Sequence, residues 1–358
     1  MKIVQVANHY APCIGGIERV VQDISIGLAG KGHEVRVVCL DRCANSKEKL
    51  PEMENIGGIG VERVPFLDLK YYKVAPSVFS RIGDAEVVHV HGIGFLSDFL
   101  IITKPLHKKK VVVSTHGGIF HTKAIGMLKS VYFRVVQGIV LNFADAVIAV
   151  SKNDYELFSK ICGKTALIEN GIDLSGISAA QKRRNTFLFV GRFSRNKRVE
   201  NMLEAFSRLQ NRKFELLIAG VDWENLLESY KEKVKALGIE KNVRFVIGPS
   251  KDELRALYAG SEFFVSASRY EGFGLALVEG MAHGCIPIVQ GNEGFSAILR
   301  KGEGFFVDFD ESGPAAEKIG QILGKNRESI GKAAAKRAKD FDMGKNASSL
   351  EKAYGAIK

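Results

Sequence analysis

The chain has 358 residues and a formal net charge of +11, with 46% hydrophobic and 25% charged residues, 37 glycines and 8 prolines. That globular balance is long enough for two domains, since one core stops growing near ~250–300 residues, and it excludes a disordered, collagen-like or small disulfide-scaffold chain. No apolar run approaches the ~18 residues of a membrane span, and the start, Met1-Lys2-Ile3-Val4-Gln5-Val6, turns polar too soon for a signal peptide.

That opening reads instead as a first strand around Val4 and Val6. A helix follows with Ile17, Val20, Val21, Ile24 and Leu28 on one face, closed by Gly30-Lys31-Gly32. Short apolar strands are predicted at 34–40, 86–90, 111–114 and 146–150, each followed by a helix or a polar turn. The pattern weakens at 170–185, where Gly, Asp, Ser, Gln, Lys and Arg accumulate. It restarts at 186–190 and runs through strands at 214–219, 243–247, 263–266 and 286–289. Buried parallel strands with crossover helices fit this alternation better than any all-β fold.

The expected architecture is therefore α/β, with one domain over residues 1–172, a linker over 173–185 and a second domain over 186–342. A closing helix over 343–358 is free to cross back to the first domain. Two facing sheets of this kind place a ligand cleft at the carboxyl ends of their strands.

Basic excess invites a nucleic-acid reading. The two halves carry it almost equally, however, +5 over residues 1–172 and +6 over the rest, and no nucleic-acid reader motif is present. One window stands out: between Asp98 and Asp145 there is no acidic residue, while Lys104, Lys108, Lys109, Lys110, Lys123, Lys129 and Arg134 are all cationic. The cysteines, at 13, 39, 43, 162 and 285, are odd in number and lack zinc spacing. They are expected as reduced thiols in a cytoplasmic protein.

Four loops at strand ends carry candidate chemistry. Gly15-Gly16 opens the first helix, where free N–H groups can approach an anion or a sugar; an ordinary tight turn explains it as well. Gly191-Arg192-Phe193-Ser194-Arg195-Asn196-Lys197-Arg198 brings four cations to a strand end, as a diphosphate clamp would. Glu271-Gly272-Phe273-Gly274-Leu275 leads into a helix bearing Glu279. The two carboxylates can hold sugar hydroxyls at two points, and the N–H groups at Gly274 and Leu275 remain free for ligand oxygens. Thr115-His116-Gly117-Gly118 ends a buried strand, so His116 is either a ligand contact or a structural histidine. Asp308-Phe309-Asp310 has the form of a metal-binding pair, but it opens a polar loop far in sequence from the clamp, and no metal is expected there.

With these residues in view, the chain resembles the retaining nucleotide-sugar glycosyltransferases of family 4, which have the GT-B fold of two Rossmann-like domains. The resemblance runs almost end to end. It includes the Gly15-Gly16 loop, Thr115-His116, Val150-Ser151-Lys152-Asn153-Asp154, Glu169-Asn170-Gly171-Ile172-Asp173, Gly191-Arg192 through Lys197, and the Glu271–Glu279 pair. It implies that the donor nucleotide sits on the second domain, with Arg192 and Lys197 on its diphosphate. Glu271 would contact the transferred sugar, Glu279 the ribose, and Phe273, Gly274 and Leu275 would line the donor site.

Gly15 and Gly16 would cap the phosphate, and His116 would lie beside the reacting carbon. Catalysis would need neither a metal nor another cofactor. The segment from Ser114 to Lys123 is also similar to α-mannosyltransferases acting on polyprenyl-diphosphate-linked glycans. That likeness implies GDP-mannose as donor and a lipid-linked saccharide as acceptor, met by Ser151, His121 and Lys123. A basic, aromatic helix around 123–141 suits docking on an anionic bilayer at the inner face of the cytoplasmic membrane, with contact spread over residues 104–141. A UDP-sugar transferase with a soluble acceptor, and a nucleotide-sugar binder without turnover, stand as alternatives.

Overall fold

The structure, a computed structural model, describes residues 1–44, 46–69, 72–117, 131–177, 181–324 and 327–357. It divides into two compact units, one formed by Met1–Asp173 with Asp342–Lys358 and the other by Leu174–Phe341.

Among the described residues the first unit's main sheet has eight strands: β1 (Lys2–Ala7), β2 (Glu34–Leu40), β3 (Met53–Ile56), β4 (Ile59–Val64), β7 (Val87–His91), β8 (Lys110–Ser114), β9 (Ala146–Ala149) and β10 (Thr165–Leu167). A separate small hairpin, β5 (Leu67–Asp68) and β6 (Lys73–Val74), lies between β4 and β7 in sequence. The sheet order is β10-β9-β8-β7-β1-β2-β4-β3, parallel throughout except for the β3–β4 pair. Valines fill β1, β2, β7 and β8 because both sheet faces are covered, so no polar alternation is required.

Helix α1 (Gly16–Ala29) buries Val20, Val21, Ile24 and Leu28, the stripe its period predicts. Helix α2 (Phe95–Ile102) packs into the core with Leu96, Leu100 and Ile101. Helix α3 (Lys152–Phe158) follows β9.

The second unit repeats the plan with β11 (Arg183–Val190), β12 (Glu215–Gly220), β13 (Val243–Ile247), β14 (Ser261–Ser266), β15 (Ile286–Val289) and β16 (Phe305–Phe306). The order is β13-β12-β11-β14-β15-β16, every pair parallel. Its core is aromatic: Phe187 stacks on Phe263 at 4.6 Å and meets Phe206 edge-on at 4.8 Å. Helices α4 (Val199–Ser207), α5 (Leu227–Ala236), α6 (Lys251–Gly260), α7 (Leu275–Ala282), α8 (Glu293–Ile298), α9 (Ser312–Leu323) and α10 (Glu328–Ala338) complete this unit. In each sheet the strand order reverses beside the first strand, at β1/β7 and at β11/β14. Ligands of such sheets bind at the carboxyl ends of the strands next to that reversal.

Strand positions follow the sequence reading closely, yet the additional strands and the start of β11 differ from it. The hairpin β3–β4, the edge strand β10 and the short β16 were not among the expected strands: β3 is polar and largely exposed, Gly60 and Glu62 interrupt the apolar positions of β4, and β10 and β16 are only three and two residues long. Strand β11 begins at Arg183, inside the stretch expected to be linker. Its polar end is satisfied by Arg183 on Glu215 at 3.0 Å and by Asn185 N donating to Glu262 at 2.6 Å. The closing helix, α11 (Met343–Ala356), belongs to the first unit, where it packs on α1. A Cβ at Gly27 would sit 3.3 Å from Ala347, so glycine there permits the close approach.

The expectation of five reduced thiols is corrected. Cys13 and Cys43 form a disulfide, while Cys39, Cys162 and Cys285 are free and buried. The two cysteines are 30 residues apart in sequence. They follow β1 and β2, which are adjacent and parallel, so their loops emerge side by side at the same sheet edge. The helix expected over 123–141 is seen only from residue 131, as helical turns over 131–143; residues 118–130 lie outside those described. Among the described residues no helix is long and apolar enough to cross a membrane.

Candidate active site

In the second unit the loops after β11 and β14 are stapled together at the order reversal. Asn196 donates its side-chain amide to Tyr270 O at 2.9 Å, and Arg269 N donates back to Asn196 O at 3.0 Å. This brings Lys197 Nζ within 2.6 Å of Glu271 Oε1, both side chains less than one-fifth exposed. The cation and the carboxylate most central to the sequence reading are thus one ion pair, a charge-assisted bond in a partly desolvated setting.

Arg192 takes no carboxylate partner among the described residues. Its guanidinium lies 4.8 Å from the centre of the Trp223 ring, a cation–π contact that leaves its donors directed to solvent or ligand. Trp223 reaches it because the chain after β12 runs beside the chain after β11. Phe193 N donates to Val221 O at 2.8 Å, and a Cβ at Gly220 would lie 1.8 Å from Gly191 O. Only glycine allows that backbone approach.

Glu279 stands one turn inside α7. Its Oε2 accepts the Tyr258 hydroxyl at 3.0 Å, and the Tyr258 ring stacks on His283 at 5.7 Å. Tyr258 is fully buried, so its hydroxyl fixes the carboxylate from the core side. Helix α7 starts at Gly274 with φ +112 and no side-chain cap, leaving its first backbone donors for a ligand. Phe273 is buried edge-on against Phe341 at 5.5 Å, so packing accounts for its side chain. In the Asp308–Asp310 segment, Asp310 pairs with Arg198, and Asp308 accepts from Gln290 at 3.1 Å and Asp310 N at 2.9 Å.

In the first unit the counterpart is the turn after β8. His116 adopts φ +48, an uncommon conformation for a non-glycine residue. One carboxylate oxygen of Asp154 clamps the turn on both sides, accepting Thr115 Oγ1 at 2.5 Å and Gly117 N at 2.8 Å. Burial raises the Asp154 pKa, while these two bonds oppose the rise. Ser151 is buried as the cap of α3, its Oγ accepting from Asp154 N at 3.2 Å. Behind the turn, His116 Nε2 lies 2.9 Å from His91 Nδ1. Burial holds His116 near pKa 4, so its imidazole is neutral at ordinary pH.

Gly15 and Gly16 form the uncapped start of α1, with Gly16 exposed. His121 and Lys123 lie outside the described residues.

Comparison with known proteins gives the family. The family model described as Glycosyltransferase Family 4 matches residues 14–175, and that of Glycosyl transferases group 1 matches residues 173–337. A GDP-mannose:cellobiosyl-diphosphopolyprenol alpha-mannosyltransferase of Komagataeibacter xylinus is 33% identical over 96% of this chain and 88% of its own length. The chain belongs to glycosyltransferase family 4.

A second relative of the same description, from Xanthomonas campestris, is 35% identical over 89% of this chain and 86% of its own. Among solved structures, a sucrose-phosphate synthase of Thermosynechococcus elongatus superposes with a TM-score of 0.80 at 18% identity, over 99% of this chain and 98% of its own. Anabaena HepE in complex with UDP-glucose gives 0.79 at 16% identity, over the full length of both chains. These neighbours share the GT-B fold of two Rossmann-like units. As a family-4 glycosyltransferase, this protein is a hexosyltransferase.

Of the residues expected at the site, Lys197 and Glu271 are paired, with Arg192 earlier on the loop after β11, Glu279 is held by Tyr258, and His116 stands on the turn after β8 in the first unit. The sequence reading missed the residues that hold them, namely Trp223, Tyr258, Asp154 and His91. Asp154 stood in a quoted motif without a role. The other three carry no local signal, because their meaning comes from strands and helices distant in sequence.

Proposed function

We propose that this glycosyltransferase moves mannose from GDP-mannose to a polyprenyl-diphosphate-linked saccharide, with retention of the α configuration and without a metal ion. The donor and acceptor classes rest on the relatives at 33% and 35% identity, whose descriptions name both. The observation that carries the site is the Lys197–Glu271 pair at the β11/β14 reversal, with Arg192 beside it. Arg192 and Lys197 meet the charge that grows on the departing nucleoside diphosphate. Glu271 holds Lys197 in place and faces the sugar, Glu279 takes the ribose hydroxyls, and the N–H groups after Gly274 contact phosphate or sugar oxygens. Gly15 and Gly16 offer backbone donors to a phosphate oxygen. His116 accepts a hydrogen bond from the transferred sugar, and the acceptor proton passes to the leaving phosphate on the same face.

The acceptor is held at a membrane, which favours a protein resting at the inner face of the cytoplasmic membrane. Support comes from Ile102, Leu106, Ile139 and Phe143, exposed at 65%, 74%, 59% and 66% in the acid-free window. Lys104 ties two parts of this surface together, bonding Phe143 O at 3.3 Å and Asp145 at 2.6 Å. Lysines 108 and 109 supply charge for anionic lipid.

Calorimetric titration with GDP, UDP and ADP sugars, with and without chelator, followed by product analysis on lipid-linked and soluble acceptors, tests the reading. Chelator-insensitive GDP-mannose binding with an α-mannosylated lipid product is expected. UDP-sugar preference or transfer only to soluble acceptors overturns the substrate assignment. Failure of anionic vesicles to retain the protein at low salt removes the membrane contact.

A further inference from the structure

Three neighbouring strands of the first unit carry polar side chains where the surrounding positions are apolar: Gln5 on β1, His89 and His91 on β7, and Ser114 on β8. All four are buried, with His91 3% exposed and Gln5 fully enclosed. Buried polar groups are costly unless they are bonded, and apart from Gln5 Nε2, which has no hydrogen-bond partner among the described residues, these form a chain. Gln5 Oε1 lies 2.6 Å from His91 Nε2, and His91 Nδ1 lies 2.9 Å from His116 Nε2. Beside them His89 is held between the Tyr354 hydroxyl of α11 at 2.7 Å and Ser114 Oγ at 2.8 Å. The His89 and His91 rings lie 4.2 Å apart, so the His89 bonds also brace His91.

The direction of each bond follows from what each atom can do. Gln5 Oε1 only accepts, so His91 Nε2 carries the proton. Burial and the neighbouring histidines keep His91 neutral, which leaves its Nδ1 as an acceptor. The atom facing that lone pair is His116 Nε2, which therefore donates. His116 is neutral as well, so its Nδ1 is left bare, on a side chain that, unlike His91, remains partly exposed.

We propose that His91, oriented by Gln5, is a positioning residue that holds His116 in the tautomer with Nε2–H directed into the unit and Nδ1 offered to a sugar hydroxyl. The inference rests on the reading of His116 as the residue beside the transferred sugar. The opposite tautomer would present an N–H to that hydroxyl and leave two lone pairs opposed at the His91–His116 contact.

Long-range nitrogen–proton correlation NMR on the histidine-labelled full-length protein reads the tautomer of each ring. His116, assigned by the signal lost in His116→Gly, is expected with Nε2 protonated; protonation at Nδ1 overturns the proposal. His91→Phe removes the acceptor and is expected to mix the His116 tautomers. It should also lower kcat about ten- to a hundredfold with little change in donor KM, the range over which an orienting partner matters. His91→Asn, whose amide oxygen reaches the Nδ1 position, is expected to restore most of kcat. An unchanged kcat in His91→Phe, or no rescue by Asn, overturns the role.

If His91→Phe does not fold, Gln5→Leu serves, since it frees His91 to take either tautomer; an unmixed His116 signal there is equally fatal. His116→Gly tests the underlying reading separately, because glycine accepts φ +48. Full transfer activity in that variant removes His116 from the sugar even where the tautomer is as assigned.

Discussion

Lys197 and Glu271 pair at 2.6 Å and Arg192 stacks on Trp223, so in the proposed donor site a diphosphate would meet cations whose positions are already set. Preorganised donors aimed at developing charge supply a large share of a barrier reduction. Lys197→Ala is therefore expected to lower kcat by about 100- to 1,000-fold, and it also strands a largely buried Glu271. Steady-state rates check this; a loss under about tenfold would place the diphosphate elsewhere. Glu279 is fixed from behind by Tyr258, whose hydroxyl it accepts at 3.0 Å. Tyr258→Phe removes that donor and should weaken donor binding by about 1–2 kcal/mol, or roughly 5–30-fold in Kd. Titration calorimetry with the nucleotide reads it directly, and wild-type affinity would show that Glu279 does not need the tyrosine.

At the scale of elements, function sits in loops whose geometry is set by strand neighbours. The turn bearing His116 is clamped by Asp154 from the start of α3, and the first loop is tied by Cys13–Cys43 to the loop after β2. Closing a loop of this length removes unfolded-state entropy worth about 3–4 kcal/mol in the chain-entropy account. Cys13→Ser, or addition of a thiol reductant, is expected to destabilise the protein by up to that amount. Chemical denaturation with and without reductant measures it, and identical midpoints would mean the bridge contributes no stability. This tie was invisible in the sequence, where Cys43 lies nearer to Cys39, a buried strand residue with its thiol pushed up to about 12 by burial.

Across the whole molecule, buried histidines link stability to pH. His9 and His116 are lowered to about 4 and His89 to about 3, each chiefly by burial, from a usual value of 6.5. Between those values the unfolded chain binds protons that the folded chain refuses. The stability is fully present above about pH 6.5 and is lost progressively as pH falls towards 4, by a sum on the order of several kcal/mol. Thermal melts between pH 7.5 and 4.5 should show a falling Tm, and a flat profile would mean these imidazoles titrate normally. The same depression keeps His116 neutral, so kcat should show no ionisation belonging to it between pH 6 and 9.

Hydrophobic periodicity in the sequence determined the α/β class and the strand positions, because buried parallel strands read as uninterrupted apolar runs. The chemistry-bearing loops were legible too, since glycines, cations and carboxylates clustered directly after those runs. Arg192, Lys197, Glu271 and His116 were singled out as candidates for that reason. Strand order was not legible: only the tertiary structure places β11 beside β14 and β1 beside both β2 and β7. That adjacency joins Lys197 to Glu271 across 74 residues and His91 to Gln5 across 86. Likewise α11 reaches the first sheet through Tyr354 and His89, 265 residues apart. Periodicity reports how each segment meets the core, whereas hydrogen bonds between side chains depend on which segments become neighbours.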